Sequence, residues 1–572
     1  MVNVRQFLPF LKWFPPTGTA IRADLIAGIT VALVLIPQSM AYAQLAGLPA
    51  YYGLYAAFLP GIIAAMWGSS AQLATGPVAV VSLLSASALA QYANLGSAEF
   101  ISLAILLAFL VGSFQLLLGV FKLGVVVNFL SHPVILGFTN AAAIIIGLSQ
   151  LNKIFGVAKP RSESFIMDIA AVLGDIGHTH VPTLLMGVAA FAIMWGFKKY
   201  LPKLPGVLIA VAVTTVLSWA VGFEGTGGKV VGEIPQGLPS LAVPHLDWTM
   251  VSKLLPSAVI ISLVGFMEAI SIAKAMAAKT RDRVDPNQEL IGQGLGNIVG
   301  SFSQAYPTSG SFSRSAVNLN AGALTGMSSV FTGIVVLVTL LFLTPLLYHL
   351  PQAVLAAVIM MAVIGLINFR AIKYAWRTHI HDGIAAAVTF VATLAFAPHL
   401  DNGIMIGALL AIALYLYRTM RPRVALLGRY QDGTLRDLRV HPDLPTDERI
   451  VVMRFDGSLY FANVSYFEDT VLEAVATHPK AKYVLVVGDA INQMDASGEE
   501  MLHNLITRLA ENGVKIVFSG LKRQIILLLE RTGLIKVIGQ DNIHATEDMA
   551  IEAIYDDLNV DAVDGVFCPL KS

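Results

Sequence analysis

One ionisable side chain lies inside an apolar stretch that is long enough to cross a membrane. Glu268 interrupts Leu263–Ile270, and it is the only carboxylate that we place at the core of a span. A charged group at membrane depth is costly, so it is a functional candidate by default. We expect Glu268 to carry a coupled proton. The alternative is a structural carboxylate that pairs with Lys274 or Arg314.

Two segments break apolar stretches in the same way. Leu73–Val80 contains Gly76-Pro77 where a helix should already be running, and Tyr306–Arg314 is interrupted likewise, 233 residues later. Interrupted segments at matching places in two halves indicate the midplane site of a transporter. Free backbone N–H groups are tolerable there only where they line a cavity or hold an anion. The alternative is a helix kinked by a proline in its first turn.

A second correspondence favours an internal repeat. Gln38 lies 230 residues before Glu268, and each precedes its broken segment by about 40 residues. Both are polar interruptions of otherwise apolar helices. The pattern predicts two inverted halves, in which one helix and one half-helix from each half meet at a centre.

Polar side chains cluster at the second break. Ser309, Ser311 and Ser313 can donate hydrogen bonds to an anion, or they can bond back to the helix. Arg314 can attract an anion or neutralise Glu268; alternatively its side chain extends to the membrane surface.

The charges of the chain are unevenly spread over its 572 residues. Residues 1–420 hold 35 of the 74 Asp, Glu, Lys and Arg residues, and residues 421–572 hold the other 39. Residues 1–420 therefore have the composition of membrane-spanning segments, and residues 421–572 have that of a soluble domain. This composition excludes a single soluble enzyme. A net charge of zero without a basic run excludes a nucleic-acid footprint.

Roughly twelve to fourteen spans fit between Leu25 and Leu416 at about 20 residues each. Lys and Arg cluster in four loops, which the positive-inside rule makes cytoplasmic together with both termini. These loops are Lys198–Lys203, Lys274–Arg283, Arg370–Arg377 and Arg418–Arg423. Residues 1–23 combine basic and aromatic residues, which predicts a cytoplasmic segment at the membrane interface; a disordered leader is the alternative. We assign the transport domain to residues 24–420.

The soluble domain, residues 421–560, alternates predicted strands and helices, and a tail of residues 561–572 follows it. The strands are expected near Val451–Phe455, Tyr483–Val487 and Lys515–Phe518, so the domain is predicted to be α/β. Asp495-Ala496-Ser497-Gly498 opens a helix, where Ser497 is a possible phosphorylation site. An ordinary helix cap by Asp or Ser is the interpretation that we favour.

Other chemistry finds no support in the sequence. The single cysteine excludes disulfide scaffolds and Cys-ligated metal sites, and no cofactor is predicted. Gly225–Val230 lacks the first glycine and the final Ser/Thr of a phosphate-binding loop, so transport would be secondary. No Ser/His/Asp constellation suits hydrolysis, and an enzyme is not expected.

Several motifs together resemble one family. Pro49–Ala57 followed by Gly68-Ser69-Ser70 closely resembles the signature of the SulP sulfate-permease family, which is solute carrier family 26 in animals. Ile36–Ala43 resembles the family's first span and Ser311–Ser315 its tenth. The C-terminal block resembles the STAS domain that follows such transporters.

This resemblance implies an α-helical polytopic fold of fourteen spans, arranged as two inverted seven-span repeats that form core and gate domains. It also implies a homodimer and an elevator-like movement. The anion would lie between the half-helix starts at Val78 and Ser313. The implied substrate-binding residues are Gln38, Tyr42, Val78, Ser311, Phe312, Ser313 and Arg314.

The resulting hypothesis is proton-coupled uptake of sulfate across the cell membrane, which would be a bacterial inner membrane. The STAS domain could bind a cytoplasmic partner. A sodium-coupled bicarbonate or dicarboxylate transporter is the alternative within transport. A membrane-anchored STAS sensor is the alternative of another class, although a mere anchor needs neither half-helices nor Glu268.

Overall fold

The computed structural model describes residues 8–125, 131–158, 164–201, 204–558 and 568–571. The chain divides into two compact units, Met1–Ala411 and Ile412–Ser572. We call them the membrane unit and the C-terminal unit.

The membrane unit is helical, apart from two very short strands, β1 (Thr75–Gly76) and β2 (Ser309–Gly310). Its α-helices, the last of which continues into the C-terminal unit, are α1 (Gly18–Leu45), α2 (Tyr52–Trp67), α3 (Ala79–Leu89), α4 (Ala98–Val120), α5 (His132–Ser149), α6 (Leu151–Phe155), α7 (Phe165–Gly174), α8 (Val181–Tyr200), α9 (Gly206–Ala220), α10 (Trp248–Thr280), α11 (Pro286–Phe302), α12 (Phe312–Asn320), α13 (Met327–Val338), α14 (Gln352–Ile364), α15 (Phe369–Thr378), α16 (Ile380–Ala395) and α17 (Leu400–Met420).

Eight helical stretches in the described part of the chain are long and apolar enough to cross a membrane. Five further apolar helices are shorter, with 10–17 residues each. Among these is α3, which has only 11 residues because it starts after the Gly76-Pro77 break. The predicted polytopic helical membrane fold is confirmed. The count of fourteen spans and the inverted repeats stay predictions.

Helix α11 lies between α2 and α4, and its glycines make this close packing possible. A methyl group on Gly292 would lie 2.6 Å from the backbone nitrogen of Gly68, just after α2. A methyl group on Gly294 would lie 2.6 Å from the backbone nitrogen of Leu116 in α4. Any larger residue at either position would push the helices apart, so α11 is held on two sides by backbone contact.

The C-terminal unit contains a six-stranded sheet of order β4-β3-β5-β6-β7-β8. Its strands are β3 (Val424–Arg429), β4 (Leu435–Asp437), β5 (Ile450–Phe455), β6 (Tyr483–Val487), β7 (Lys515–Ser519) and β8 (Ile543–His544). Its helices are α18 (Val464–Thr477), α19 (Ala496–Glu511), α20 (Arg523–Thr532), α21 (Leu534–Ile538) and α22 (Glu547–Asp557). Strands β5 to β8 run parallel, whereas β3 pairs antiparallel with β4 and β5. The predicted α/β domain is confirmed.

Alternate residues of the parallel strands enter two apolar cores, one on each face of the sheet. Helices α18 to α21 cover one face, and α22 covers the other together with Leu570 near the chain end. The Tyr555 hydroxyl donates a hydrogen bond to Asp447 and accepts one from the backbone N–H of Leu570. The pKa of Asp447 is lowered: burial alone would raise it, but hydrogen bonds from Arg449 and Tyr555 stabilise the carboxylate.

Candidate functional site

The two broken segments meet at the strands β1 and β2. Thr75 pairs with Gly310 and Gly76 with Ser309, in antiparallel register. The backbone N–H of Ser311 donates to the carbonyl of Ala74 at 3.0 Å, which extends the pairing by one residue. The sequence predicts two interrupted segments at matching positions, and in the structure these segments pair with each other. We call the place where β1 pairs with β2 the crossing.

Each strand leads into a short helix whose first N–H groups remain open. Helix α3 starts after the N-cap Val78 and helix α12 after the N-cap Ser311, and neither cap side chain bonds to its helix. Antiparallel strands send the two helices away in opposite directions, so both N-termini face the crossing. Each N-terminus offers free N–H donors and about half a positive charge. Two such ends at one point suit an anion without any side chain, so the predicted anion site remains a proposal.

The boundaries refine the predicted half-helix starts. Val78 is not inside its helix but caps it, with an extended backbone, and it is 6% exposed. Ser313 is the second residue of α12, and its side chain is exposed. Val78 precedes the first helical residue of α3, whereas Ser313 follows the first helical residue of α12. Both residues therefore lie beside the open N–H groups.

Arg314 is the largest completely buried side chain near the crossing, with 0% exposure. None of its three guanidinium nitrogens has a hydrogen-bond partner among the described residues. A methyl group on Gly76 would lie 3.4 Å from its terminal nitrogen Nη2, so Arg314 of the second half reaches the strand of the first. The burial excludes the alternative in which Arg314 extends to the membrane surface. A buried cation without a partner is expensive, so the position of Arg314 calls for a compensating group.

Glu268 lies on α10 and is half-buried. Within the described ranges of the chain, its carboxylate makes no hydrogen bond and no ion pair within 4.0 Å. A direct pair with Lys274 or Arg314 is therefore not formed, although the charges of Glu268 and Arg314 are close enough to interact. The proton-coupling role of Glu268 stays a prediction.

Gln38 and Tyr42 lie on α1, which packs against both α3 and α12. Leu35 of α1 contacts the crossing, since a methyl group on Gly76 would lie 3.5 Å from its Cδ1 atom. Gln38 and Tyr42 follow at helical spacing on the same face, and they are 6% and 5% exposed. The Gln38 Oε1 atom is buried without a hydrogen-bond partner in the described chain. Both side chains are therefore buried on the face of α1 that Leu35 turns toward β1, and their contact with an anion stays a prediction.

The remaining candidates differ in their exposure. The hydroxyl groups of Ser311 and Ser313 lie 3.4 Å apart, and Ser311 is buried. Phe312 is 58% exposed. Ser311 and Ser313 can supply hydroxyl donors beside the helix start, and a role of Phe312 in binding stays a prediction.

Sequence reasoning missed several polar residues around the crossing. The hydroxyl of Tyr306 bonds to that of Ser82 in α3 at 3.1 Å, which links the two halves once more. Two buried carboxylates near the starts of α1 and α11 were also missed, because nothing in the local sequence shows that they are buried. Asp24 is 0% and Glu289 2% exposed. Burial in the protein does not fix membrane depth, so the expectation that Glu268 is the only carboxylate at the core of a span stays a prediction.

Asp24 and Glu289 play a different part from Glu268, since both are satisfied by hydrogen bonds. Asp24 accepts from the backbone N–H groups of Leu324 and Thr325, and from the Thr325 hydroxyl at 2.6 Å. Glu289 accepts from the N–H groups of Ser69 and Ser70. Buried carboxylates with several donors are anchors rather than proton carriers.

In the C-terminal unit, Asp495 is the N-cap of α19 and accepts a hydrogen bond from the N–H of Gly498 at 2.9 Å. Ser497 is the second helical residue and is half-buried, so the cap is Asp495 rather than Ser497. Phosphorylation of Ser497 stays a prediction. Across the described ranges, no group of three or more His, Cys, Asp and Glu residues is arranged to hold a metal ion.

Comparisons with known proteins agree with these findings. Residues 21–389 match the sulfate permease family and residues 441–550 match the STAS domain. The probable sulfate transporter 4.2 of Arabidopsis thaliana is 37% identical over 539 residues, which cover 91% of this chain and 79% of the relative. The chloroplastic sulfate transporter 4.1 of the same plant is 36% identical, with 91% and 78% covered.

Solved structures share the fold. The murine Solute Carrier 26 family member A9, an anion transporter in the inward-facing state, superposes with a TM-score of 0.89 at 24% identity, covering 97% of this chain and 95% of the other. The transmembrane domain of the cyanobacterium bicarbonate transporter BicA gives a TM-score of 0.58 at 23% identity, with 69% and 98% covered. By its sequence match over more than half its length, this chain belongs to the sulfate permease family and carries a C-terminal STAS domain.

Proposed function

We propose that this protein is a secondary active anion transporter that takes up sulfate together with protons. The observation that carries the proposal is the crossing of β1 and β2. There, two uncapped helix N-termini and the unpartnered guanidinium of Arg314 meet in a buried place. Backbone N–H donors and a fixed positive charge suit an oxyanion.

The anion would lie between the starts of α3 and α12. The backbone N–H groups after Val78 and Ser311 would contact it, with hydroxyl groups of Ser311 and Ser313 at its edge. Gln38 and Tyr42 would close the site from α1, and Arg314 would add charge from beneath. Sulfate is the first candidate because the plant relatives are named sulfate transporters.

Glu268 would carry the coupled proton. Moving a divalent anion against an inside-negative potential costs about 4.6 kcal/mol per 100 mV, at about 2.3 per charge. A co-transported cation lowers this cost. Glu268 suits the task because it is half-buried, has no fixed partner in the described chain and interacts electrostatically with Arg314.

Sodium-coupled uptake of bicarbonate or a dicarboxylate is the second candidate, and the fold shared with BicA favours it over other anions. A sensor anchored by the spans is disfavoured, because an anchor needs no buried, unpartnered arginine. The proposal also includes an elevator-like movement and a homodimer. It places the protein in a bacterial inner membrane with cytoplasmic termini, and it gives the STAS domain a cytoplasmic partner.

Uptake of labelled sulfate into proteoliposomes tests the proposal. Wild-type protein should accumulate sulfate under an inward proton gradient. Glu268→Gln should abolish this accumulation while exchange against internal unlabelled sulfate continues. Glu99→Gln is the matched control, because Glu99 is an exposed carboxylate in the first turn of α4.

Three outcomes would count against it. Unchanged accumulation in Glu268→Gln would remove Glu268 from the coupling. Accumulation that follows a sodium gradient instead would favour the second candidate. The absence of any exchange or uptake in wild-type liposomes would contradict transport of sulfate.

A further inference from the structure

Helix α11 carries three polar residues that the anion site does not use directly. Glu289, Gln293 and Asn297 are spaced four residues apart, so they lie on one face of the helix. They are 2%, 1% and 1% exposed. We call these three residues the α11 stripe.

Gln293 and Asn297 each bond to a broken segment, and Glu289 bonds to the residues just before the first one. The Glu289 carboxylate accepts hydrogen bonds from the N–H groups of Ser69 and Ser70 at 2.9 and 3.2 Å, just before the first break. The Gln293 amide donates to the hydroxyl of Thr75 in β1 at 2.7 Å.

Asn297 holds the second segment at the residue before β2. Its Oδ1 atom accepts from the backbone N–H of Thr308 at 2.8 Å and from the Thr308 hydroxyl at 3.0 Å. Its Nδ2 atom donates to the Thr308 carbonyl at 3.2 Å and to Gln115 of α4 at 3.1 Å. One helix thus bonds to both segments, within one turn of its length.

The pairing of β1 with β2 needs such support. It involves only two residues on each strand, and a small isolated pair of strands is marginal. Helix α11 supplies a rigid reference, because its glycines fix it against the backbones of α2 and α4. The glycines fix the position of α11 against its neighbours, and the hydrogen bonds of the α11 stripe fix the broken segments relative to α11.

We propose that the α11 stripe is the positioning element of the anion site. Gln293 and Asn297 set where β1 and β2 cross and hence where the N-termini of α3 and α12 point. Glu289 anchors the approach to the first break. This inference rests on the proposed function for its consequence, which is anion affinity, but not for the positioning itself.

Hydrogen exchange of the purified full-length protein tests the positioning without any anion. Gln293→Leu and Thr75→Val each remove one partner of the same bond, so each should speed exchange in peptides around residues 70–80. Thr308→Val removes a hydroxyl bond to Asn297 and should speed exchange around residues 305–313 instead. Thr75→Ser keeps the hydroxyl and should restore the protection lost in Thr75→Val.

Gln288→Leu is the matched control, made on the same helix. The Gln288 amide bonds to the carbonyl of Trp67 and not to a broken segment, so neither peptide should change. Calorimetric titration with sulfate gives the functional arm. Gln293→Leu and Thr75→Val should each raise the dissociation constant roughly three- to tenfold, and the double variant no further, because both remove one hydrogen bond.

The arms separate the possible failures. Unchanged exchange in Gln293→Leu, Thr75→Val and Thr308→Val would overturn the positioning role, whatever the anion does. Faster exchange with unchanged sulfate affinity would overturn the link between the α11 stripe and the anion. Wild-type protein that binds no sulfate would contradict the proposed function, while the exchange arm would still decide the inference.

Discussion

Both units of this protein bury an arginine, and they treat its charge differently. Arg429 in β3 is 7% exposed and forms an ion pair with Asp548 at 2.6 Å. Arg314 in α12 is 0% exposed and has no hydrogen-bond partner among the described residues. The C-terminal unit pairs its buried arginine with a carboxylate, although the Arg429 Nε atom is buried without a partner among the described residues. All three guanidinium nitrogens of Arg314 lack such a partner.

The helix starts show the same contrast. Asp495 caps α19 with its carboxylate, and this negative charge also suits the helix dipole. Helices α3 and α12 begin at Val78 and Ser311 without a side-chain cap. We propose that the two uncapped helix starts, which lie at one place, are left open for the anion.

The largest effect should come from filling the crossing. Val78→Trp and Ser313→Trp place a bulky ring beside the open N–H groups, so both should abolish sulfate binding in calorimetric titration. Ser497→Trp is the control, because Ser497 is the second residue of the capped helix α19, as Ser313 is of α12. This variant should leave sulfate binding intact. Wild-type affinity in both variants would mean that the anion binds elsewhere.

The second effect separates the two arginines. Arg314→Gln removes a charge near the anion and should weaken binding by about 1.5–3 kcal/mol, which is the range for hydrogen bonds to charged groups. Thermal stability without anion should not fall, because the fold loses an unpaired buried charge.

Arg429→Gln is the converse control. It should lower the free energy of unfolding of the C-terminal unit by roughly 1 kcal/mol, because Asp548 is largely exposed, and leave sulfate affinity unchanged. If Arg314→Gln lowered only stability and Arg429→Gln lowered affinity, the contrast between the units would be wrong.

A third effect concerns the capped helix. Asp495→Ala should destabilise the C-terminal unit by about 0.5–2 kcal/mol, the usual loss for an N-cap. Chemical denaturation followed by circular dichroism measures it. Asp495→Asn retains the cap and should lose little, and an equal loss in both variants would assign the effect to the hydrogen bond with Phe461.

The smallest effect should come from Ser313→Ala. The backbone N–H groups remain, so binding should weaken by only about 0.5–1.5 kcal/mol for one hydroxyl bond. Titration with sulfate beside the Ser313→Trp variant shows whether volume or the hydroxyl matters. A complete loss in Ser313→Ala would argue that side chains, not helix ends, hold the anion.

Features with a local cause were predictable from the sequence. The break at Gly76-Pro77 follows from residues that cannot continue a helix, and Tyr483–Val487 was identified from its continuous apolar run. The resemblance added Gln38 and Tyr42, which are buried on α1, the helix that packs against α3 and α12. These residues needed no knowledge of distant partners.

The rest depends on contacts between distant parts of the chain. The pairing of Thr75 with Gly310 has no local signal, since two residues are too few for a strand pattern. The roles of Gln293 and Asn297 follow only once both broken segments are placed. Their spacing of four in a glycine-rich helix is visible in the sequence, but the spacing alone does not show which distant residues they contact.

The pairing of β1 with β2 also orders events during synthesis of the chain. Thr75 and Gly310 are 235 residues apart, which at about 5–20 residues per second corresponds to roughly 12–50 seconds of translation. Until then, the backbone groups of Thr75 and Gly76 lack their partners in β2. The first half of the chain therefore enters the membrane before these backbone groups are paired. Until β2 is made, water or the insertion machinery must supply their hydrogen bonds. A ribosome that pauses between the halves would lengthen this exposed interval.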